Sequence, residues 1–316
     1  MQKVIFIDPA EPPLWQALAD MGFQCDDRLK ASRAEVLAAL GEYEGMVIRS
    51  RLKVDRELLD HAPNLRFVAR SGVGVEHIDL EYAAQRGVAV LTSPEGSRDT
   101  VGEHTVGLLL MLMNNLARAD RQVREGQWIR AGNRGYELGG KTVGIIGYGN
   151  MGTAFARRLA GFGCTVLAYD KYRQNYGDAF AEAVDLATLQ AQADVVSLHI
   201  PYEPENRYFA NGAFWDAFAK PVWVVNTARG LVLHTADLAD RLASGRVLGA
   251  ALDVIEYEEQ SFAHLNPAEL PPPFQYLLQS ANVVLTPHIA GWSYEAEEGH
   301  ARVLAQKIGA LYGQKV

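Results

Sequence analysis

Short β-branched runs recur along the chain, and between them the apolar residues follow a helical period. Val4–Asp8 is the first run, followed by Pro-rich punctuation and a helical pattern from Trp15 to Met21. Val143–Ile146 repeats that grammar, with glycines and then a helical pattern from Met151 to Phe162. Further strands are predicted at Gly45–Ile48, Leu65–Ala69, Val88–Leu91, Thr165–Tyr169, Val195–His199, Val222–Asn226, Ala250–Val254 and Val283–Thr286. Strands that alternate with helices imply right-handed βαβ units, and so an α/β fold of doubly wound parallel sheets covered on both faces.

One stretch breaks the alternation. Residues 99–125 read as one long helix, with Asp99 or Thr100 as its N-cap and Val106, Leu109, Leu110, Met113 and Leu116 at helical spacing. Such a helix can bridge two domains. The expected division is residues 1–98 with 290–316 as one domain and 99–289 as the other, the helix Tyr294 to Leu311 returning to the first. Pro271-Pro272-Pro273 reads as a rigid spacer in a loop.

Composition narrows the class. The 316 residues are 48% hydrophobic and 22% charged, as in a globular protein of two domains rather than a disordered chain. The net charge of −8 lacks the basic field of a nucleic-acid binder. No signal-like start is present, and the longest apolar run, Val106 to Met113, falls far short of the ~20 residues of a membrane helix. Two cysteines, Cys25 and Cys164, form no disulfide framework, so a reducing cytoplasm is expected.

The sharpest local signal is Gly147-x-Gly149-x-x-Gly152, which follows a strand and opens a helix. The first glycine permits a tight turn, the second lets the backbone approach a pyrophosphate, and the third lets the helix pack closely on the strand. Free N–H groups at the helix start then face the phosphates. After a second strand, Asp170 stands 18 residues beyond Gly152, where an acidic residue accepts the ribose hydroxyls of NAD and repels the 2′-phosphate of NADP. Lys171 and Arg173, just beyond it, weigh toward NADP unless they are solvated charges.

Three later segments carry ionisable residues past strand ends: Asn226-Thr-Ala-Arg229, Asp253-Val-Ile-Glu-Tyr-Glu258 and Thr286-Pro-His288-Ile-Ala-Gly291. Ligands of open α/β sheets bind beyond the carboxyl ends of strands. A guanidinium there can hold a carboxylate at two points and polarise the adjacent carbonyl. A histidine can take and return a hydroxyl proton, and a carboxylate can orient it. Taken singly, Arg229 is equally a surface cation, Glu258 part of an acidic loop, and His288 a loop histidine.

At this point the chain resembles the D-isomer-specific 2-hydroxyacid dehydrogenases, the family of phosphoglycerate, glycerate and D-lactate dehydrogenases, in a short form without a regulatory domain. The resemblance runs through Arg49-Ser-Arg51, Ser71-Gly-Val-Gly-Val-Glu-His-Ile-Asp79, Val101-Gly-Glu-His104, the glycine loop with Asp170, His199-Ile-Pro201 and the three segments above. It implies a Rossmann NAD-binding domain inserted into a flavodoxin-like substrate domain. It implies Arg229, Glu258 and His288 as catalytic residues, and Val73, Gly74 and Val75 as backbone donors to the substrate carboxylate. Cofactor contacts are implied at Gly147, Tyr148, Gly149, Asn150, Met151, Gly152, Asp170, His199, Ile200, Pro201, Asn206, Thr227, Ala228, Asp253 and Gly291. The bridging helix of the family usually lies in a homodimer interface.

The sequence departs from the family pattern in places. Glu259 rather than Pro follows Glu258, so Glu256 and Glu259 stand as alternative registers, although the spacing from Arg229 and Asp253 favours Glu258. Glu76-His77 replaces a common Asp-Asn. Arg49 and Arg51 match positions where phosphoglycerate dehydrogenases bind phosphate, and two residues two apart on an extended segment point the same way. They form either a phosphate clamp or a solvated strand end. Trp128, Arg130, Asn133 and Arg134 are further candidates to border the pocket. The expected activity is NAD-dependent hydride transfer at C2 of a D-2-hydroxy acid, with 3-phosphoglycerate, or glyoxylate and hydroxypyruvate, as substrate classes. A non-catalytic NAD sensor is the competing class, and it would call for a long tail or recruitment segment that the chain does not display. No metal, nucleic acid or membrane partner is expected.

Overall fold

The computed structural model describes residues 2–258 and 269–314. Contacts divide the chain into two compact units, Met1–Arg98 with Trp292–Val316, and Asp99–Gly291.

The first unit is built on β1 (Lys3–Phe6), β2 (Gln24–Asp27), β3 (Gly45–Ile48), β4 (Phe67–Arg70) and β5 (Ala89–Thr92), in the order β2-β1-β3-β4-β5. All four pairings are parallel. Successive side chains of a strand point to opposite faces. Val4 and Phe6 accordingly enter the core beneath the helices Pro12–Asp20 and Tyr294–Leu311, through Leu14, Leu18, Leu304 and Ile308. Ile5 and Ile7 enter the opposite core with Val36, Leu58 and Leu59 of the helices Arg33–Ala39 and Arg56–Asp60. Both faces are covered, which is why β1 is apolar at every position after Lys3.

The second unit contains β6 (Thr142–Ile146), β7 (Thr165–Tyr169), β8 (Glu182–Ala183), β9 (Val195–Leu198), β10 (Val222–Asn226), β11 (Val247–Leu252) and β12 (Val283–Leu285), in the order β12-β11-β10-β9-β6-β7-β8. Val222 and Val224 feed one core while Trp223 and Val225 feed the other. The order reverses between β6 and β9, the switch point beyond which such sheets bind ligands. Asn226, Leu252 and Leu285 stand in register at the ends of β10, β11 and β12. The three segments that follow them therefore leave the same edge of the sheet.

The two parallel α/β sheets expected from the sequence are present, but several elements differ. The helix expected at 99–125 begins at Pro94 and ends at Met113, and a second helix runs from Leu116 to Arg124. Asn115 breaks it with φ +56°, the left-handed region that asparagine tolerates and a continuing helix does not. Asp99 is no cap; it lies within the helix and its carboxylate accepts from Arg158 at 3.0 Å. Pro271-Pro272-Pro273 is not a loop spacer. It opens the helix Pro272–Gln279, because a first turn needs no N–H from proline. β2 and β8 were not predicted, being a polar edge strand and a two-residue one.

Candidate active site

The glycine loop has a separate physical reason for each glycine. Gly147 takes φ +92°, and a Cβ there would lie 2.7 Å from the His199 carbonyl oxygen and 2.8 Å from Cγ2 of Ile200. A Cβ at Gly152 would lie 2.1 Å from the Gly147 oxygen, so only glycine lets the helix Asn150–Leu159 sit this close to β6. Gly149, the N-cap, is different: a Cβ there meets nothing within 4 Å. Gly149 and Asn150 are exposed and Met151 is half-buried. The helix N-terminus thus opens onto free space, as a phosphate group requires.

Asp170 follows β7, and its carboxylate already accepts three backbone N–H groups: Tyr148 at 2.9 Å on Oδ2, and Tyr172 and Arg173 at 3.0 Å each on Oδ1. A carboxylate offers about four acceptor sites, so Asp170 retains capacity for a ribose hydroxyl. The Arg173 guanidinium is turned inward, donating to the Tyr148 carbonyl. Lys171 pairs with Glu205 at 3.1 Å. Tyr148 contributes backbone only; its ring is buried and its hydroxyl donates to Asp178 at 2.9 Å, with burial pushing its pKa up.

Beyond β9, His199 bonds Ser197 Oγ through Nε2 at 2.8 Å, while its buried Nδ1 has no hydrogen-bond partner. Burial pushes this imidazole down to about 3. Ile200 packs toward Gly147, and buried Asn206 donates to the Pro201 carbonyl at 3.0 Å. Asn206 therefore closes the loop after β9 rather than extending from it.

The segments after β10, β11 and β12 are tied to one another. Asn226, 1% exposed, accepts from Ala228 N at 3.0 Å and donates to the Arg229 carbonyl at 3.1 Å, fixing the turn that carries Arg229. Thr227 is buried against Thr105, with the hydroxyls 3.1 Å apart. A Cβ at Gly230 would lie 1.9 Å from the Ile255 oxygen, so the Arg229 turn is pressed against the segment leading to Glu258. Glu258 accepts from Ile255 N at 2.6 Å through Oε1 and meets His288 Nδ1 at 2.7 Å through Oε2. Glu256 is spent elsewhere, accepting from Thr235 N at 2.8 Å at the start of the helix Thr235–Ala243. Of the alternative registers, Glu259 lies outside the described residues.

Asp253, 1% exposed, organises the His288 turn. It accepts Thr286 Oγ1–H at 2.6 Å, Ile289 N–H at 2.9 Å and Ala290 N–H at 2.8 Å. Burial would raise its pKa, but hydrogen bonds from His104, Thr286, Ile289 and Ala290 outweigh that and hold it below the usual carboxylate value. The Asp253 side chain therefore belongs to the turn.

The other candidates lie in the first unit. Among the described residues, the N–H groups of Val73, Gly74 and Val75 reach no backbone carbonyl. Arg51 does not stand free to clamp an anion. Its guanidinium donates to the carbonyls of Ile7 at 2.6 Å, Ala31 at 2.7 Å and Arg28 at 3.3 Å, and lies 3.2 Å from buried Asp8. Arg49 points elsewhere, to Glu297 at 3.1 Å. Both backbone N–H groups donate to Asp8 Oδ2, and of the two guanidinium groups the Arg51 one also reaches Asp8, at 3.2 Å. Sequence reasoning missed Asp8, Thr105 and the placement of His104, because each is defined by residues distant in the chain. Among the described residues no group of His, Cys, Asp and Glu could hold a metal, and no helix is long and apolar enough to cross a membrane.

A family model described as "D-isomer specific 2-hydroxyacid dehydrogenase, NAD binding domain" matches residues 106–290. The chain is 35% identical over 308 residues to a D-3-phosphoglycerate dehydrogenase of Archaeoglobus fulgidus, covering 97% of this chain and 56% of that protein. It thus spans little more than half the length of that relative. It is 35% identical over 277 residues to a hydroxypyruvate reductase of Thermotoga maritima, covering 87% of this chain and 86% of that one. A D-lactate dehydrogenase from Aquifex aeolicus, solved with NAD and lactic acid, superposes with a TM-score of 0.80 at 28% identity, covering 99% and 96% of the two chains. The chain belongs to the D-isomer specific 2-hydroxyacid dehydrogenase family.

Proposed function

We propose that the protein is an NAD-dependent oxidoreductase that interconverts a D-2-hydroxy acid and its 2-keto acid. The observation that carries this reading is the 2.7 Å contact of His288 Nδ1 with a Glu258 carboxylate that is itself held by Ile255 N–H. The residues fit NAD: open space above Gly149, exposed N–H groups at the helix start, and the Asp170 carboxylate. When bound, NAD supplies the hydride acceptor and, reduced, the donor.

The chain's own residues do the rest. His288 keeps Nδ1 on Glu258, and we assign its Nε2 the task of taking the proton of the substrate C2 hydroxyl during oxidation and returning it during reduction. Glu258 fixes the ring and stabilises the imidazolium. Arg229 holds the substrate carboxylate and polarises the C2 oxygen. In the first unit, the N–H groups of Val73, Gly74 and Val75 are proposed as carboxylate-binding donors, supported by their lack of backbone acceptors among the described residues.

The commitment of Arg51 to carbonyls and Asp8 weighs against a phosphate clamp. It favours a short unphosphorylated acid such as glyoxylate or hydroxypyruvate over 3-phosphoglycerate. Residues Leu116, Val123, Trp128, Ile129 and Tyr136 are exposed and apolar, consistent with a homodimer formed through this region. Two free cysteines fit a cytoplasmic setting. The test is a panel of glyoxylate, hydroxypyruvate, pyruvate, D-lactate, glycerate and 3-phosphoglycerate with the NAD and NADP couples, read by reduced-nicotinamide absorbance. Turnover of a 2-keto acid with NADH is expected. No turnover of any pair, with NADH still bound, points instead to the non-catalytic sensor.

A further inference from the structure

His104 lies on the helix Pro94–Met113, and beyond its place among the donors around Asp253 it has no part in the chemistry above. Its Nε2 is 3.3 Å from Thr286 Oγ1 and 3.5 Å from Asp253 Oδ1. Thr286 has one hydroxyl proton and gives it to Asp253 at 2.6 Å. The hydroxyl can therefore only accept from the histidine, which fixes the proton on Nε2 of His104.

The three groups form one device. Asp253 grips Thr286 before His288, and Ile289 and Ala290 after it. Between them His288 takes φ +56°, a conformation that side chains rarely adopt and that persists only where its surroundings over-determine it. Its own N–H is drawn to the Asp253 carbonyl at 2.8 Å. A buried carboxylate that loses a donor shifts or takes up a proton, and either change loosens its hold on this turn.

Resting on the reading of His288 given above, we propose that His104 is a positioning residue for proton transfer: its Nε2–H steadies the Thr286–Asp253 pair that holds the His288 turn against Glu258. A displacement of about 1 Å at a reacting group can cost ~10²-fold in rate, so a residue that never touches substrate can govern kcat.

The test uses the full-length protein with NADH and whichever of glyoxylate, hydroxypyruvate or pyruvate it reduces fastest. His104→Ala is expected to lower kcat by about 10- to 100-fold, with KM and NADH affinity little changed. His104→Gln, which keeps an N–H donor, should recover most of the loss. Thr286→Val should reproduce the loss, and the double variant should be no worse than either single one, because the two groups act in one chain. Amide exchange at Ile289 and Ala290 should quicken in His104→Ala. Wild-type kcat in His104→Ala, equal loss in the Ala and Gln variants, multiplicative losses in the double variant, or unchanged exchange at both amides would each overturn the proposal. If His104→Ala does not fold, the Gln and Val variants decide. Full turnover in His288→Asn would fail the reading of His288 instead, whereas an inactive His288→Asn beside a fully active His104→Ala fails only the proposal.

Discussion

Glu258 and His288 lie 30 residues apart in the chain and meet at 2.7 Å, carboxylate to ring nitrogen. The second Glu258 oxygen is fixed by Ile255 N–H at 2.6 Å, so the carboxylate cannot turn away. Glu258→Gln retains the side chain's shape but not its charge. It is expected to lower kcat by about 10²-fold or more, with NADH affinity near that of the wild type. Steady-state rates and NADH fluorescence titration check both parts; a Gln variant with wild-type kcat would deprive Glu258 of its role.

The glycine loop separates binding from stability. A Cβ at Gly149 meets nothing in the protein, while one at Gly152 lies 2.1 Å from a carbonyl oxygen. Gly149→Ala should therefore melt near the wild-type temperature yet bind NADH more weakly, because the methyl group occupies the space of the phosphates. Gly152→Ala should lose about 1–3 kcal/mol of stability through overpacking. Thermal melts and NADH titrations of the two variants should diverge in this way, and equal melting temperatures would contradict it.

Arg51 acts as a tie between β1, β3 and the segment after β2. Arg51→Ala removes charge-assisted bonds to Ile7, Ala31 and Arg28 and leaves Asp8, 5% exposed, without its guanidinium. A loss of about 1–3 kcal/mol is expected, with KM shifted no more for phosphorylated than for plain substrates. A selective rise in KM for 3-phosphoglycerate would restore Arg51 as a phosphate ligand.

Two histidines make the fold acid-sensitive. Burial lowers the imidazoles of His199, to about 3, and of His300. The unfolded chain protonates both near pH 6.5, while the native state keeps them neutral. Protons thus bind preferentially to the unfolded state, and stability falls as the pH drops below about 6.5, down to the folded-state values. Each histidine contributes up to about 1.4 kcal/mol per pH unit. Urea unfolding at pH 7.5 and pH 5.5 should show the loss, and His199→Gln should reduce it. A pH-independent midpoint would contradict the assignment.

Most of this site could be read from the chain because its signals are local or periodic. Gly147, Gly149 and Gly152 sit between a strand and a helix, and Asn226, Asp253 and Thr286 mark strand ends that the parallel register brings to one edge. The residues that escaped are those whose role is set by distant partners. Arg49 and Arg51 are two apart, but the first turns to Glu297 and the second to Ile7, which no local spacing reveals. β2, Gln-Cys-Asp-Asp, lacks an apolar pattern because it is an edge strand. Two further features left legible marks. Ser93-Pro94 is a helix-start pattern, and Asn114-Asn115 is a tandem suited to a left-handed break.

Single-turnover and steady-state reduction of the preferred 2-keto acid by NADH, compared between wild type and His288→Asn, tests the assignment of proton transfer most directly. The substitution is expected to lower kcat by about 10²–10⁴-fold while NADH binds with unchanged affinity. Wild-type turnover in His288→Asn would contradict it.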